Sequence, residues 1–209
     1  MNREELRSAL LVRSERAGIA VQEHVLELLL SYFELLRRWN RTINLTALPL
    51  EPPTTESLDR LLVEPLVVAD RLGDIHGRWF DLGSGGGSPA IPIKLVIPHL
   101  SLTMVESRER KAAFLRETAR ELQLQHVGVS NARFEALGRA AGLAGTADLV
   151  TARAVRVDGP FLALCSLLLK VGGRLVLVGY AGSEPTGFRS DPKSGFFRRI
   201  VPRGTIPSA

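Results

Sequence analysis

The spacing of hydrophobic residues changes about a third of the way along the chain. Between residues 21 and 41 apolar side chains recur every three or four positions, which predicts an amphipathic helix. Thr54 and Thr55 offer caps for a second helix over about residues 56–72. From Arg78 onward, short apolar runs end in glycine or polar residues, as strands do. The predicted strands lie at 79–82, 101–105, 127–129, 148–152 and 174–178, and the predicted helices around 88–97, 109–124 and 158–170.

Strands that alternate with helices predict an open, mostly parallel α/β sheet. Residues 1–72 then form a helical amino-terminal extension packed on the core, and residues 73–209 form that core with a short tail. The tail after Gly182 is punctuated by proline and glycine, and residues 196–202 predict one strand within it. We therefore expect a single compact unit.

Composition is that of a globular protein. The 209 residues are 45% hydrophobic and 23% charged, which excludes disordered, collagen-like and disulfide-scaffold classes. Lysine and arginine number 27 against 22 acidic residues, and a net charge of +5 permits a polyanionic partner without requiring one. Cys165 stands alone, the first residues are too charged for a signal peptide, and no apolar stretch approaches the roughly 18 residues that span a bilayer. We expect a cytoplasmic monomer with no membrane partner.

A glycine-rich segment follows the first predicted strand. It matches D-x-G-x-G-x-G, in which Asp81 leads into Gly83, Gly85 and Gly87. Glycines are needed where a strand turns sharply into a helix and a ligand approaches bare backbone. The dinucleotide fingerprint G-x-G-x-x-G fails because Ser88 holds its last position, and the phosphate loop G-x-x-x-x-G-K-[ST] is absent. Asp81 would repel a pyrophosphate but favour a cationic ligand, such as a sulfonium and its amino group.

Glu106 supplies the second half of this signal. It ends the second predicted strand, 25 residues after Asp81, where a carboxylate at the switch point of a doubly wound sheet can accept both ribose hydroxyls. The two acids together resemble the S-adenosylmethionine site of class I methyltransferases. A nucleotide-dependent oxidoreductase that uses the same loop is a weaker alternative, and the failed fingerprint counts against it.

Five longer strings resemble one family, the small-subunit ribosomal RNA guanine-N7 methyltransferases, also called glucose-inhibited division protein B. In chain order they are WNRTINLTA (39–47), DLGSGGGSPAIP (81–92), ESRERKAAFL (106–115), NARFE (131–135) and TARA (151–154). The Asn-Leu-Thr and Thr-Ala-Arg-Ala strings are the most specific, because methyltransferases in general lack them. The resemblance covers about residues 20–182 and implies a class I methyltransferase (Rossmann-like) fold with a helical amino-terminal extension.

The resemblance also implies a reaction and a set of site residues. The cofactor is S-adenosyl-L-methionine, and the methyl acceptor is a guanine of small-subunit (16S) ribosomal RNA, naked or in the 30S particle. The implied cofactor-binding residues are Asp81, Gly83, Ser84, Gly85, Gly87, Pro89, Glu106, Ser107, Phe134, Glu135 and Arg153. The implied catalytic residues are Arg133 and Arg153, and the implied RNA-binding residues are Arg37, Arg38, Arg41, Asn44, Arg110 and Lys111.

The implied chemistry needs few groups. Guanine N7 carries a free lone pair, so its methylation requires no prior removal of a proton, and rate comes from alignment of N7, methyl carbon and sulfur. Arg133 or Arg153 could donate to guanine O6, whereas a donor on N7 would block the nucleophile. None of the four histidines lies in a motif and no cysteines and histidines cluster, so no metal is expected.

Some positions depart from the family pattern. Leu61 and Pro65 replace the histidine and serine of a His-x-x-Asp-Ser element. Ala90 replaces the glycine of Pro-Gly-x-Pro, and Gly179 replaces a lysine. The carboxyl-terminal hairpin is also short, so that the chain is truncated or its last strand is lost. These departures keep a second function open, that of a cofactor- and RNA-binding protein with little or no turnover.

Plainer interpretations of the basic residues stay open as well. Arg37, Arg38 and Arg41 suit the carboxyl end of a helix, where positive charge is favourable. Asn44 could stabilise a turn through its side chain. The two arginines that the resemblance makes catalytic could be ordinary surface residues.

Overall fold

The computed structural model describes residues 1–192 and 195–200, in which no helix has the length and apolar character needed to cross a membrane. The helices are α1 (Arg3–Arg16), α2 (Glu23–Asn40), α3 (Thr55–Leu58), α4 (Glu64–Leu72), α5 (Ala90–Val96), α6 (Glu109–Glu121) and α7 (Gly159–Leu168). The strands are β1 (Arg78–Leu82), β2 (Ser101–Val105), β3 (Val127–Ser130), β4 (Ala147–Arg153), β5 (Leu169–Val178), β6 (Phe188–Ser190) and β7 (Phe197–Arg199). A π-helical turn (Asp59–Val63) joins α3 to α4, and a 3₁₀ turn (Phe134–Arg139) follows β3.

The strands form one sheet in the order β3-β2-β1-β4-β5-β7-β6. The first five are mutually parallel, while β7 runs antiparallel to both of its neighbours. This confirms the predicted mostly parallel α/β sheet. Because β1 lies between β2 and β4, the residues that follow these three strands meet at one edge of the sheet.

Helices cover both faces of the sheet. Trp79 and Phe80 are consecutive in β1 and therefore point to opposite faces, and both are buried. Trp79 belongs to a hydrophobic core that includes residues of α1, α2 and α4, whereas Phe80 belongs to a core that includes residues of α7. The helices that precede β1 thus pack on one face, and a domain boundary at residue 72 stays a prediction.

The helices of the first 72 residues follow from caps and apolar spacing. α2 lies within the predicted range and buries one face. Thr54 accepts a hydrogen bond from the Ser57 N–H at 3.1 Å, as expected of the predicted cap. Sequence reasoning missed α1, although Asn2 and Glu5 form a reciprocal capping box at its start. The pattern S/T/N-x-x-E that marks such a box was present in the sequence.

The tail corrects one prediction. It was expected to hold one strand and to lack the last strand of its hairpin, yet β6 and β7 pair with each other and β7 joins β5. Each of these strands has three residues, too few for alternation to be visible, and β6 begins just after Pro185 and Gly187. The prediction of a lost strand is therefore wrong, and the end of the predicted strand at 201–202 lies outside the described residues.

Candidate cofactor cleft

The glycine-rich loop connects β1 to α5 and is tied to the neighbouring strand. The Gly83 N–H donates to the main-chain oxygen of Val105 at 2.9 Å. Gly83, Gly85 and Gly87 have φ of +77°, +52° and +86°, a region that side chains rarely tolerate. At Gly87 an added Cβ would lie 2.4 Å from Cδ1 of Ile91. The sequence needs glycine here to bring the loop onto α5.

Glu106 is fixed beside this loop at the end of β2. Its Oε2 accepts a hydrogen bond from the Gly85 N–H at 2.9 Å, and its Oε1 accepts one from the Arg108 N–H at 2.8 Å. The Asn131 amide donates to the main-chain oxygens of Glu106 and Ser107 at 2.9 and 3.2 Å. A carboxylate oxygen has two lone pairs, so each oxygen keeps acceptor capacity for a ligand.

Asp81 lies at the end of β1, beneath the loop. Its Oδ1 accepts a hydrogen bond of 2.5 Å from the Thr151 hydroxyl, which itself accepts one of 2.8 Å from the Trp79 indole N–H. Its Oδ2 is buried and has no hydrogen-bond partner in the described structure. Burial raises the pKa of Asp81 to about 6. A buried acid with one unpaired oxygen is the arrangement that a cationic hydrogen-bond donor would complete.

A cleft of about 450 Å³ opens beside Glu106, within the range of small-molecule sites, and Asp81 lies buried next to the loop residues that line it. Its walls are residues 45–48, the π-helical turn at Arg60 and Leu61, the glycine loop with Glu106, and Arg153 at the end of β4. π-Helical turns are rare and concentrate at functional sites. Polar groups from several elements thus converge on one concave surface.

Arg153 is held at the rim of this cleft. One guanidinium nitrogen donates to the main-chain oxygen of Arg60 and, at 3.2 Å, to the Ser88 hydroxyl, and the other pairs with Glu64 at 2.7 Å. Burial lowers the pKa of Arg153, and the charge of Glu64 opposes that shift. The three partners fix the plane of the guanidinium.

The sequence matches the family model described as rRNA small subunit methyltransferase G over residues 25–185. The chain belongs to this family. Two curated relatives carry the name Ribosomal RNA small subunit methyltransferase G. The one from Xylella fastidiosa is 43% identical over 71% of this chain and 66% of its own length. The one from Stenotrophomonas maltophilia is 38% identical over 86% of this chain and 79% of its own length.

This chain therefore spans just under two thirds of the Xylella relative's length. Among solved structures, a putative S-adenosyl-L-methionine-dependent methyltransferase of Methanococcus maripaludis aligns with a TM-score of 0.47 at 17% identity, over 58% of this chain and 57% of its own. The fold of this member of the methyltransferase G family is the class I methyltransferase fold predicted from its motifs.

The structure brings together only part of the cofactor set that the family resemblance implied. Gly83, Ser84, Gly85, Glu106 and Arg153 line the cleft. Asp81, Gly87 and Pro89 are buried beneath or behind the loop, and Ser107 is exposed next to Glu106. Phe134 packs edge-on against Phe161 with ring centroids 5.7 Å apart, and Glu135 is exposed beside it. These last two residues lie outside the cleft wall, and their binding role stays a prediction.

The two implied catalytic arginines are placed differently. Arg153 lines the cleft, whereas Arg133 is an exposed residue that immediately precedes the 3₁₀ turn and does not contribute to the cleft wall. The catalytic roles of both residues stay predictions.

The residues predicted to bind RNA are also dispersed. Arg37 and Arg41 both pair with Glu51, at 3.1 and 2.5 Å, at the carboxyl end of α2. Arg38, Asn44 and Arg110 are exposed. The turn after α2 is ordered by Asn40, whose Oδ1 accepts from the N–H groups of Leu45 and Thr46, so that the turn-stabilising residue is Asn40 rather than Asn44.

Lys111 occupies a different place from the other five residues predicted to bind RNA. It lines the cleft, and its Nζ donates to the main-chain oxygen of Leu45 at 3.4 Å. Burial lowers the pKa of this ammonium. A lysine predicted to contact RNA thus stands in the wall of the cofactor cleft, while its RNA-binding role stays untested.

Sequence reasoning missed several groups that shape the site. The Tyr32 hydroxyl donates to the main-chain oxygen of Gly86 at 2.7 Å, and burial raises the pKa of that tyrosine. Thr151 carries the hydrogen bond to Asp81, and Glu64 holds Arg153. The family string Thr-Ala-Arg-Ala contained Thr151, but nothing in the sequence distinguished its hydroxyl from that of an ordinary strand threonine.

The fold also gathers Asp74, His76 and His99, one ligand atom of each lying within 4.8 Å of the others. All three are exposed, at the edge of the sheet opposite the cleft, and sequence reasoning had found no cluster of this kind. The Nε2 of His76 pairs with Asp74 at 2.8 Å, and the two imidazole rings lie 4.3 Å apart, tilted by 34°.

Proposed function

We propose that this chain is an S-adenosyl-L-methionine-dependent methyltransferase that methylates guanine N7 of small-subunit (16S) ribosomal RNA. The observation that carries the proposal is the placement of Glu106, bonded to the Gly85 N–H at the mouth of the glycine loop in a chain of the methyltransferase G family. Support for the finer choice of guanine N7 comes from the family resemblance and from the ionisable residues of the cleft wall, Arg60, Glu106, Arg108, Lys111 and Arg153, among which no histidine or cysteine stands as a general base.

The cleft residues fit this cofactor. Glu106 has acceptor capacity for two ribose hydroxyls, and Asp81 has an unpaired buried oxygen for a cationic group. The positive φ of Gly83 and Gly85 leaves main chain bare for close approach. S-adenosylmethionine supplies a methyl group on a positively charged sulfur when it is bound. The protein's part is to hold and align, since an unprotonated N7 needs no general base.

Arg153 is the residue that we assign to the guanine. Its guanidinium is fixed by Arg60, Ser88 and Glu64, so a fork of N–H donors has a defined direction at the cleft rim. Donation to guanine O6 would orient the base while leaving the N7 lone pair free. A guanine within folded RNA must first be turned out of its stack to reach this rim.

One observation favours a second function, a family protein that binds cofactor and RNA with little or no turnover. Leu61, which stands where the family has a histidine, lines the cleft with an apolar side chain, and Pro65 follows it in α4. The cleft thus has fewer polar groups on this wall than the family pattern provides. The same assay separates this function from the first.

The decisive experiment incubates the protein with labelled S-adenosylmethionine and undermethylated small subunits or naked ribosomal RNA, and then maps the modified base. Label on guanine N7 is the expected result. Label on another base, or on protein, would overturn the substrate assignment, and bound cofactor without label would favour the second function. Arg153→Ala should lower transfer and spare cofactor binding, whereas Arg156→Ala, a change at an exposed arginine nearby, serves as the matched control.

Action on ribosomal RNA implies a cytoplasmic protein, and the monomeric state expected from the sequence belongs to the same proposal. Light scattering of the purified protein, alone and with RNA, tests the latter. A dimer in the absence of RNA would contradict it.

A further inference from the structure

A buried chain of hydrogen bonds ends at the acid beneath the glycine loop. The Trp79 indole N–H donates to the Thr151 hydroxyl, which donates to Oδ1 of Asp81. Trp79 and Thr151 are fully buried, and Asp81 is 1% exposed. Asp81 and Thr151 are direct partners in the register of β1 and β4. The strand pairing therefore sets this contact, so it does not depend on a flexible side chain.

The direction of these bonds follows from the chemistry of the three groups. An indole N–H is a donor only, and a threonine hydroxyl has one proton. Because the hydroxyl accepts from Trp79, its own proton is available for Asp81, which must then act as an acceptor through Oδ1. Were Asp81 protonated on Oδ1, the threonine proton would have no acceptor in this chain. The hydrogen bond from Thr151 thus makes Oδ1 an acceptor and opposes the rise that burial causes in the pKa of Asp81.

The chain of hydrogen bonds ends at Oδ2, the second carboxylate oxygen of Asp81. Oδ2 is buried without a partner in the described structure, and a carboxylate oxygen buried in this way needs a hydrogen-bond donor. A sulfonium has no hydrogen on sulfur to donate, whereas an ammonium has three. Of the two cationic groups of S-adenosylmethionine, the amino group is therefore the one that matches.

We propose that Thr151, itself held by Trp79, is a positioning residue that keeps Asp81 oriented with Oδ2 presented to the amino group of the cofactor. The proposal deepens the proposed function and rests on it. It assigns a role to a hydroxyl that lies outside the cleft wall, and it gives the tryptophan of β1 a purpose beyond packing.

The charges around Asp81 influence the pH at which this carboxylate is protonated. Arg153 on β4 favours the carboxylate and Glu106 at the end of β2 opposes it, while Tyr32 approaches from α2. Burial is the largest influence and raises the pKa of Asp81 to about 6, while the nearby hydroxyls of Ser84 and Thr151 lower it. The Ser84 hydroxyl donates to the main-chain oxygen of Asp81 at 3.0 Å, so Oδ2 keeps no donor of its own. Affinity for a cationic amino group should accordingly fall as the pH drops through about 6, since protonation removes the negative charge.

The experiment measures binding of S-adenosylmethionine and of S-adenosylhomocysteine by titration calorimetry between about pH 5 and pH 8. Thr151→Val, which keeps the shape and removes the hydroxyl, should raise the pH midpoint of binding by about one unit, the order expected for one hydrogen bond to a charged group. Thr151→Ser, which restores the hydroxyl, should return the midpoint to the wild-type value. Both ligands should respond alike because both carry the amino group. A loss confined to S-adenosylmethionine would overturn the assignment.

A double variant separates positioning from stability. Thr151→Val alone leaves the Trp79 N–H buried without a partner, whereas Thr151→Val with Trp79→Phe removes both partners. Trp79→Phe also opens a cavity in the core, so the loss of thermal stability in the double variant should be smaller than the sum of the losses in the two single variants, while its pH midpoint should stay raised. A double variant with the wild-type midpoint would show that Thr151 is merely structural.

Failure of this inference is distinguishable from failure of the proposed function. Wild-type protein that binds the cofactor with the same pH midpoint as Thr151→Val would remove the role of Thr151 and leave the methyltransferase proposal standing. Wild-type protein that binds neither ligand at any pH would remove both.

Discussion

The Arg153 guanidinium, which lines the cleft, forms an ion pair of 2.7 Å with the Glu64 carboxylate, and the two residues lie on β4 and at the start of α4. Glu64 also stands at the position of the acid in the family's His-x-x-Asp-Ser element. The pair therefore links the end of a central strand to the helical segment whose sequence departs most from the family.

We predict that Glu64→Gln lowers methyl transfer by up to about fivefold, since a pair with one half-exposed partner contributes about 1 kcal/mol or less. Cofactor affinity should stay unchanged, because Glu64 does not line the cleft. Single-turnover transfer of label to undermethylated small subunits measures the first effect, and calorimetry the second. Glu117→Gln, which breaks a surface pair with Arg120 on α6, is the matched control. Equal transfer in wild type and Glu64→Gln would remove the role of the pair.

We predict that Glu106→Ala weakens binding of S-adenosylmethionine about 10- to 100-fold, the equivalent of about 1.5–3 kcal/mol for a lost charged acceptor. The carboxylate orders the loop through Gly85 and offers acceptors to a ribose, so both contributions are lost together. Calorimetry at neutral pH provides the measurement. Glu109→Ala, three residues further along and exposed, should bind like wild type. Unchanged affinity in Glu106→Ala would place the ribose elsewhere.

We predict a graded loss of stability for alanine at two glycines of the loop. Gly85 has φ of +52°, and a Cβ added there would have no contact closer than 3.8 Å. Backbone strain of about 1 kcal/mol is therefore the main cost of Gly85→Ala. Gly87→Ala adds a collision with Ile91 at 2.4 Å and should cost about 2–4 kcal/mol. Urea unfolding of the two variants tests the order. A larger loss in Gly85→Ala would contradict the packing of the loop on α5.

We predict that Lys94 makes stability depend on pH in the alkaline range. Its ammonium is buried and donates to the main-chain oxygens of Pro98 and Leu100, and burial lowers its pKa to about 8, whereas an unfolded lysine titrates near about 10.4. Between these two pKa values, Lys94 binds more protons in the unfolded chain than in the folded protein. Its contribution to the free energy of unfolding therefore rises as the pH increases from about 8.

Lys94→Met should therefore flatten that rise relative to wild type, while the exposed change Lys170→Met should leave it intact. Urea unfolding at several pH values above neutrality provides the comparison. Parallel curves for wild type and Lys94→Met would mean that Lys94 is not the group responsible.

Local sequence was enough to predict those site residues that lie directly after a strand, in the loop that leads to the next helix. The glycine loop and Glu106 follow directly from strand ends, and strand ends could be located from short apolar runs. The bond from Trp79 to Thr151 spans 72 residues and the pair of Arg153 with Glu64 spans 89, so both depend on the pairing of β1 with β4 and on the packing of α4. Periodicity contains no information about those distances.

The same limit explains two of the differences in secondary structure; a third is that β5 begins at Leu169, where the sequence predicted the end of a helix. α1 is rich in arginine and glutamate and buries few residues, among them Leu6 and Leu10, so its apolar stripe is too thin to stand out. β6 and β7 have three residues each and exist because β5 offers them an edge. The local pattern for α1 was limited to its capping box, whereas β6 and β7 depend on a tertiary partner.

The strand order has a consequence for the chain as it is being made. β1 acquires its second neighbour only with β4, and the cleft takes its last wall residues from Arg153 and Ala154, after about three quarters of the sequence. A nascent chain that has released only β1 and β2 exposes β1 as an edge, with an incomplete pocket beside it. A ligand that needs this complete wall, and the stabilisation that its binding brings, can therefore reach the protein only after β4 has been made.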